Sequence, residues 1–255
     1  MCYGPDSRPP IRPISGGSYP GREHVLRSAD GTEFLAFSAA AKNPGGAGIV
    51  ILPDIRGLHT FYEDLATRFA EAGVHATAID YFGRTAGTEP RTDDFDFMTH
   101  VPQTRADQVV ADIRAAVDHL RSDEGGEATA VFTVGFCFGG RISFNQSGED
   151  HDVAGVIGFY GRLGEKRFPG DSDAPATLAA RSRCPVLGLF GGNDQGIPAE
   201  EIEGFQKALE AAGVVHEIHV YDGAPHSFFD RLYEKFETES EDAWRRILDF
   251  IRRYS

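Results

Sequence analysis

The chain has 255 residues, 41% of them hydrophobic and 25% charged, with 39 acidic against 25 basic side chains and a formal net charge of −14. That length suits one large α/β domain and is short for two ordinary ones, and the composition excludes a disordered chain. The acidic balance speaks against nucleic acid or an anionic membrane surface as a partner.

Residues 1–21 are rich in Gly, Pro and Ser and predict an extended N-terminal arm ahead of a single domain over 22–255. The opening stretch MCYGPDSRPPIRP lacks the apolar core of a secretory signal, and no run approaches 18 apolar residues, so a cytoplasmic protein without a membrane span is expected. The three cysteines, at 2, 137 and 184, form no CxxC pair, which fits a reducing compartment. Cys2 itself reads as an incidental residue of the arm. EFLAFSAAA (33–41) predicts a strand, and AGIVILPD (47–54) one buried on both faces. Helical spacing of Phe61, Leu65 and Phe69 predicts a helix over 60–72, closed by Gly73. HATAID (75–80) is the next strand. A long amphipathic helix follows over 102–121, through Val109, Ile113, Val117 and Leu120. ATAVFTVGF (128–136), VAGVIGFYG (153–161) and CPVLGLFGG (184–192) are three more buried strands. A helix over 199–212, a strand over 215–223 and a helix over 239–253 complete the chain.

Alternating strands and helices of this kind give a mostly parallel sheet covered by helices on both faces. Ligands then sit beyond the carboxyl ends of the strands, so the loops after strands are where chemistry is expected. Two long ones, 83–101 and 161–183, are expected to rim the pocket.

GFCFGG (135–140) ends a predicted strand and opens a predicted helix. It fits the G-x-nucleophile-x-G elbow, with Cys137 in the place of the commoner serine. Small neighbours at 135 and 139 leave room for a strained nucleophile, and a helix starting behind the sulfur favours thiolate. The competing reading is an inert core cysteine in a Gly-rich turn. His226, in GAPHSFFD (223–230), follows the last strand and is the candidate base among nine histidines. His216 and His219, three apart on a strand, point to opposite faces and make a poor metal pair. Asp194, in FGGNDQGIP (190–198), is the candidate orienter of the imidazole, with Asp222 and Asp80 as rivals. The order Cys137, Asp194, His226 is the nucleophile–acid–histidine order of the α/β-hydrolase fold. No Gly-rich phosphate loop and no metal-ligand cluster stand out, so no cofactor and no metal are expected.

These segments resemble the dienelactone hydrolase (carboxymethylenebutenolidase-like) family of α/β-hydrolases over roughly residues 22–254. The resemblance rests on PDIRGL (53–58), DYFGR (80–84), GFCFGG, GFYG (158–161), GGNDQGIP (191–198) and PHSFFD (225–230). It implies hydrolysis of an activated ester or enol-lactone through a thiol acyl-enzyme, with Cys137, Asp194 and His226 as triad. It also implies an oxyanion hole from the backbone N–H groups of Phe138 and Ile55, a carboxylate-binding Arg84 and a pocket residue Tyr160. Two positions depart from the family pattern. Asp54 stands where a glutamate is usual, followed by Arg56 in place of an apolar side chain. Asp230 stands where a second carboxylate-binding arginine is usual, with Arg231 displaced by one. The anion pocket is therefore expected from Arg84, Arg56, Arg162 or Arg231. The expected partner is a small-molecule ester or lactone, and the expected assembly a monomer or small homo-oligomer. A broad-specificity carboxylesterase or thioesterase, and a catalytically silent small-ligand-binding protein of the same fold, are the alternatives.

Overall fold

The computed structural model describes residues 7–230 and 232–255, so the expectations placed on Cys2 and Arg231 lie outside the described residues. Strands β1 (Arg22–Arg27), β2 (Glu33–Ala39), β3 (Ala47–Leu52), β4 (His75–Ile79), β5 (Ala130–Phe136), β6 (Gly155–Phe159), β7 (Val186–Gly191) and β8 (His216–Tyr221) form one sheet. Their spatial order is β1-β2-β4-β3-β5-β6-β7-β8. All neighbours from β4 to β8 run parallel, while β1–β2 and β2–β4 are antiparallel. The helices are α1 (Thr60–Glu71), α2 (Gly83–Ala86), α3 (Phe97–His100), α4 (Ala106–Arg121), α5 (Phe138–Gln146), α6 (Pro175–Leu178), α7 (Ala199–Ala211) and α8 (Glu237–Tyr254).

The wholly apolar runs become the middle of the sheet. Every residue of β3, β4, β6 and β7 is buried, as expected for strands covered on both faces. Strand β1 is the element that the apolar pattern does not announce. It sits at the sheet edge, mostly exposed, and is held by its register with β2 rather than by burial. Residues 7–21 contain no helix or strand. They are fastened by an isolated bridge between Ser18 and Ala41 and by the Ile14 amide donating to Glu71 Oε2 at 3.0 Å.

Right-handed crossovers decide which face each helix covers. The β3-α1-β4 step moves one way across the sheet; the steps β4-α4-β5 and β5-α5-β6 move the other way. Helix α1 is thereby set on the face opposite α4 and α5. Helix α8 joins α1, with the Phe69 and Trp244 rings 4.7 Å apart. The reversal of winding falls between β3 and β5. In open α/β sheets that switch point is where the crevice for ligands opens, and here the loops beyond it carry Ile55 and Cys137.

Candidate active site

Cys137 links the end of β5 to the first turn of α5 with φ 55° and ψ −109°, a region that a non-glycine residue rarely occupies. Packing enforces the bend. A Cβ on Gly135 would lie 1.9 Å from the Gly139 carbonyl oxygen, and a Cβ on Gly139 would lie 2.1 Å from that of Leu52. Beneath the bend, Phe136 is fully buried and its ring stands 4.8 Å from that of Phe159 and 5.8 Å from that of Phe229. The Cys137 amide donates to the Phe159 carbonyl at 3.0 Å. Cys137 itself is only partly buried, whereas Cys184 is buried and its thiol is pushed up to about 12 by burial.

His226 lies in the segment after β8, and its Nδ1 is 2.7 Å from Asp194 Oδ2. Asp194 is almost fully buried; its other oxygen accepts from the Gly196 amide at 2.8 Å, which pins the carboxylate in place. The rival carboxylates stand elsewhere: Asp222 is exposed, and Asp80 is ion-paired to Arg91 at 2.9 Å. Tyr160 holds the other side of the imidazole. It is fully buried at φ 35°, its ring centroid is 4.9 Å from that of His226, and its hydroxyl donates to Asp230 Oδ2 at 2.9 Å.

Cys137, His226, Tyr160, Ile55 and Phe138 all line one cavity of about 150 Å³, together with Arg141, Arg162, Arg167, Asp171 and Ile197. Residue 138 is in the first turn of α5, where amides have no intrahelical acceptor. Among the described residues, neither the Phe138 amide nor the Ile55 amide donates a hydrogen bond within the protein. The loop bearing Ile55 is shaped by Asp54, whose Oδ1 accepts from the Arg56 amide at 2.8 Å and whose carbonyl accepts from Gly57 at 3.1 Å. Asp54 is fully buried and off the cavity wall, so its shorter side chain serves the turn. Beside it, burial pushes the Tyr81 phenol far up, with the Asp54 and Asp80 carboxylates and Cys137 adding to the effect. Tyr81 therefore stays a donor, to the Pro53 carbonyl at 2.8 Å.

The arginines divide differently from expectation. Arg84 does not reach the cavity; it is held by Asp112 at 2.5 Å and Asp30 at 2.9 Å. Arg56 is buried beside His59, whose imidazole is pushed down to about 4 by burial and by that guanidinium. Arg162 does line the cavity, and so do Arg141 and Arg167, to which no sequence signal pointed. Arg141 is buried on α5, 3.5 Å from Asp171, and donates to the carbonyls of Arg162, Gly164 and Ser172. Arg162 donates to the Glu165 carbonyl at 2.5 Å, and the Arg167 amide donates to Asp171 Oδ2 at 3.0 Å; among the described residues neither the Arg162 nor the Arg167 guanidinium is ion-paired to a carboxylate. Of the two long loops, 161–183 supplies wall residues and 83–101 supplies none. Asp230, which stands where the family pattern has an arginine, is buried and accepts from the Tyr160 hydroxyl.

The profile of the dienelactone hydrolase family matches residues 34–255. The chain is 32% identical to a Methylorubrum extorquens protein named "Putative carboxymethylenebutenolidase", over 81% of this chain and 72% of that one. It is 30% identical to a Salmonella typhimurium protein of the same name, over 89% and 85%. Among solved structures it superposes on the "Putative Dienelactone Hydrolase" of Klebsiella pneumoniae with a TM-score of 0.81 at 28% identity, covering 92% of this chain and 99% of the other. A dienelactone hydrolase-like promiscuous phosphotriesterase from metagenomic libraries shares the fold, with a TM-score of 0.75 at 20% identity over 93% of this chain and 99% of the other.

Proposed function

Since the chain belongs to the dienelactone hydrolase family, and so is a hydrolase of carboxylic esters and lactones, we propose that it cleaves a carboxylate-bearing activated ester or enol-lactone through Cys137, His226 and Asp194. One observation carries the reading. A cysteine on a strained elbow and a histidine oriented by a buried aspartate line the same cavity, beside two arginines whose guanidiniums are ion-paired to no carboxylate among the described residues.

The steps follow from these groups. With Nδ1 turned to Asp194, Nε2 is the nitrogen assigned to the reaction. Nε2 takes the Cys137 proton, and the sulfur adds to the ester carbonyl. The Phe138 and Ile55 amides meet the oxygen as it gains charge, and each such donor contributes a few kcal/mol that the ground state does not receive. Collapse of the tetrahedral adduct breaks the bond to the alkoxide or enolate, which leaves with the proton held on Nε2. A thioester on Cys137 remains. Water, deprotonated by Nε2, attacks it, and the acid departs as the thiol regains its proton. Thiolate expels an alkoxide more readily than an amine, which favours esters and lactones with good leaving groups over amides. A carboxylate on the substrate is met by Arg162 and Arg167, since a guanidinium orients as well as attracts. The chain's charge of −14 acts weakly against this, because salt screens exposed charges beyond about 8–10 Å.

Rapid mixing with a nitrophenyl ester tests the reading. A burst of nitrophenolate and a mass increase localised on Cys137 are expected, both lost in Cys137→Ala. Undiminished turnover in that variant would end the proposal.

A further inference from the structure

A second and larger cavity, about 350 Å³, lies beside that of the nucleophile. That volume is at the lower end of small-molecule sites. Helix α5 supplies one wall through Phe138 and Ile142, one turn apart on the same face. Val109 and Val110 of α4 form a second wall, and Phe168 and Leu178 close the third. The charges at its mouth are paired with one another: Arg105 with Asp107 at 3.2 Å, Lys166 with Asp173 at 2.9 Å, and Arg181 with Glu149 at 3.5 Å. The two cavities thus differ in kind. The nucleophile's has two guanidiniums without an ion-pair partner among the described residues; its neighbour is lined mainly by apolar side chains, with the neutral amides of Asn145 and Gln146 among them, and is compensated at the rim.

They also touch. Phe138 and Asp171 line both cavities, whereas His226 lines only the first. In the mechanism proposed above, His226 delivers a proton to the leaving group, so the leaving group lies on the His226 side. The carbonyl oxygen faces the Phe138 amide. The acyl half of the substrate then points away from His226, past Phe138, toward the second cavity.

We infer that this second cavity, which shares Phe138 and Asp171 with the first, is an acyl-arm site that takes a neutral apolar substituent, a ring or short alkyl chain, of an ester whose carbonyl sits at Cys137. The inference rests on the catalytic reading of Cys137 and His226. It adds that the preferred substrates are longer on the acyl side than the nucleophile's cavity alone would hold.

Two nitrophenyl esters separate these claims: the acetate, which fills only the first cavity, and the 4-phenylbutanoate, which needs both. Val110→Trp and Leu178→Trp obstruct the second cavity from opposite walls, and both positions are half-exposed, so neither change overfills the core. The native chain should favour the phenylbutanoate in kcat/KM by about tenfold or more, the range over which apolar pockets discriminate. Each variant should erase that preference while acetate turnover stays within about twofold, the control for folding and for the catalytic groups. An unchanged preference in the variants, or equal loss on both esters, would overturn the acyl-arm site. Failure of the native chain on both esters would instead overturn the catalytic reading beneath it.

Discussion

Arg91 and Arg84 on one side of the crevice, and Arg162 and Arg167 on the other, are the same residue type in opposite surroundings. Arg91 is buried against Asp80, donates to the Ala86 and Gly87 carbonyls and lies 4.8 Å over the Phe95 ring. Arg84 bridges Asp112 and Asp30. Both guanidiniums are fully engaged, and they tie the segment after β4 to the sheet and to α4. Arg162 and Arg167 stand in the loop after β6 and line the cavity that holds Cys137, and among the described residues their guanidiniums are ion-paired to no carboxylate. A charge marks a binding site when its surroundings leave it uncompensated, and a count of arginines does not show that.

Substitutions on the two sides should therefore fail in different assays. The largest effect expected is Arg91→Ala, which strands Asp80 as a buried, unpaired carboxylate. Breaking such a pair costs about 3–5 kcal/mol, to be read as a lower urea midpoint. Next, Arg162→Ala combined with Arg167→Ala removes charge-assisted hydrogen bonds of about 1.5–3 kcal/mol each. The double variant should lose about tenfold or more in kcat/KM on a carboxylate-bearing ester, with neutral-ester turnover and urea midpoint unchanged. A uniform loss on both esters would erase the contrast. Arg84→Met should do the reverse, lowering stability by about 1–3 kcal/mol, read as a lower urea midpoint, while leaving the carboxylate preference intact. If that preference vanished, Arg84 would belong with the binding arginines.

The imidazoles divide in the same way, and acid reveals it. His24 and His151 are pushed down to about 4, first by burial and then by neighbouring positive charge. Their folded forms resist protonation while the unfolded chain takes it up near 6.5. The sign follows: stability is complete above about 6.5 and falls as the pH drops toward 4, because the unfolded state then binds more protons. Urea midpoints between pH 7 and pH 4 should show this decline, and His24→Gln should flatten part of it. The smallest effect is reserved for Arg27→Ala. Its pair with Glu33 is exposed on both partners, and removing it should shift stability by less than about 0.5 kcal/mol.

The candidate site was partly legible in the sequence. GFCFGG sits at a strand end, which places its cysteine at the crevice, and position along the chain put forward His226, with Asp194 ahead of its rivals Asp80 and Asp222. What separates Asp194 from Asp80 and Asp222 is a 2.7 Å contact between segments 32 residues apart. Strand β1 escaped because an edge strand lacks the two-sided apolar signature that announced β3 and β7. The arginines were the hardest to assign. Arg84, picked out by its motif, is engaged by Asp112, a residue of α4 that no local pattern connects to it. Arg141 and Arg167 reach the cavity because α5 and the loop after β6 fold together, which spacing along the chain does not encode. At the two departures from the family pattern, the sequence could flag a difference and no more. The contacts give the roles: Asp54 builds a turn, and Asp230 receives the Tyr160 hydroxyl.

The sequence by itself determined the parallel sheet and the elbow and put forward Cys137 as the candidate nucleophile, because each depends on local periodicity or on residues a few positions apart. Only the tertiary structure decided which carboxylate faces the imidazole, which cations remain uncompensated and where the second cavity opens. Those are sums over groups that meet in space from distant parts of the chain, and the energy of a charge is set by all of them together.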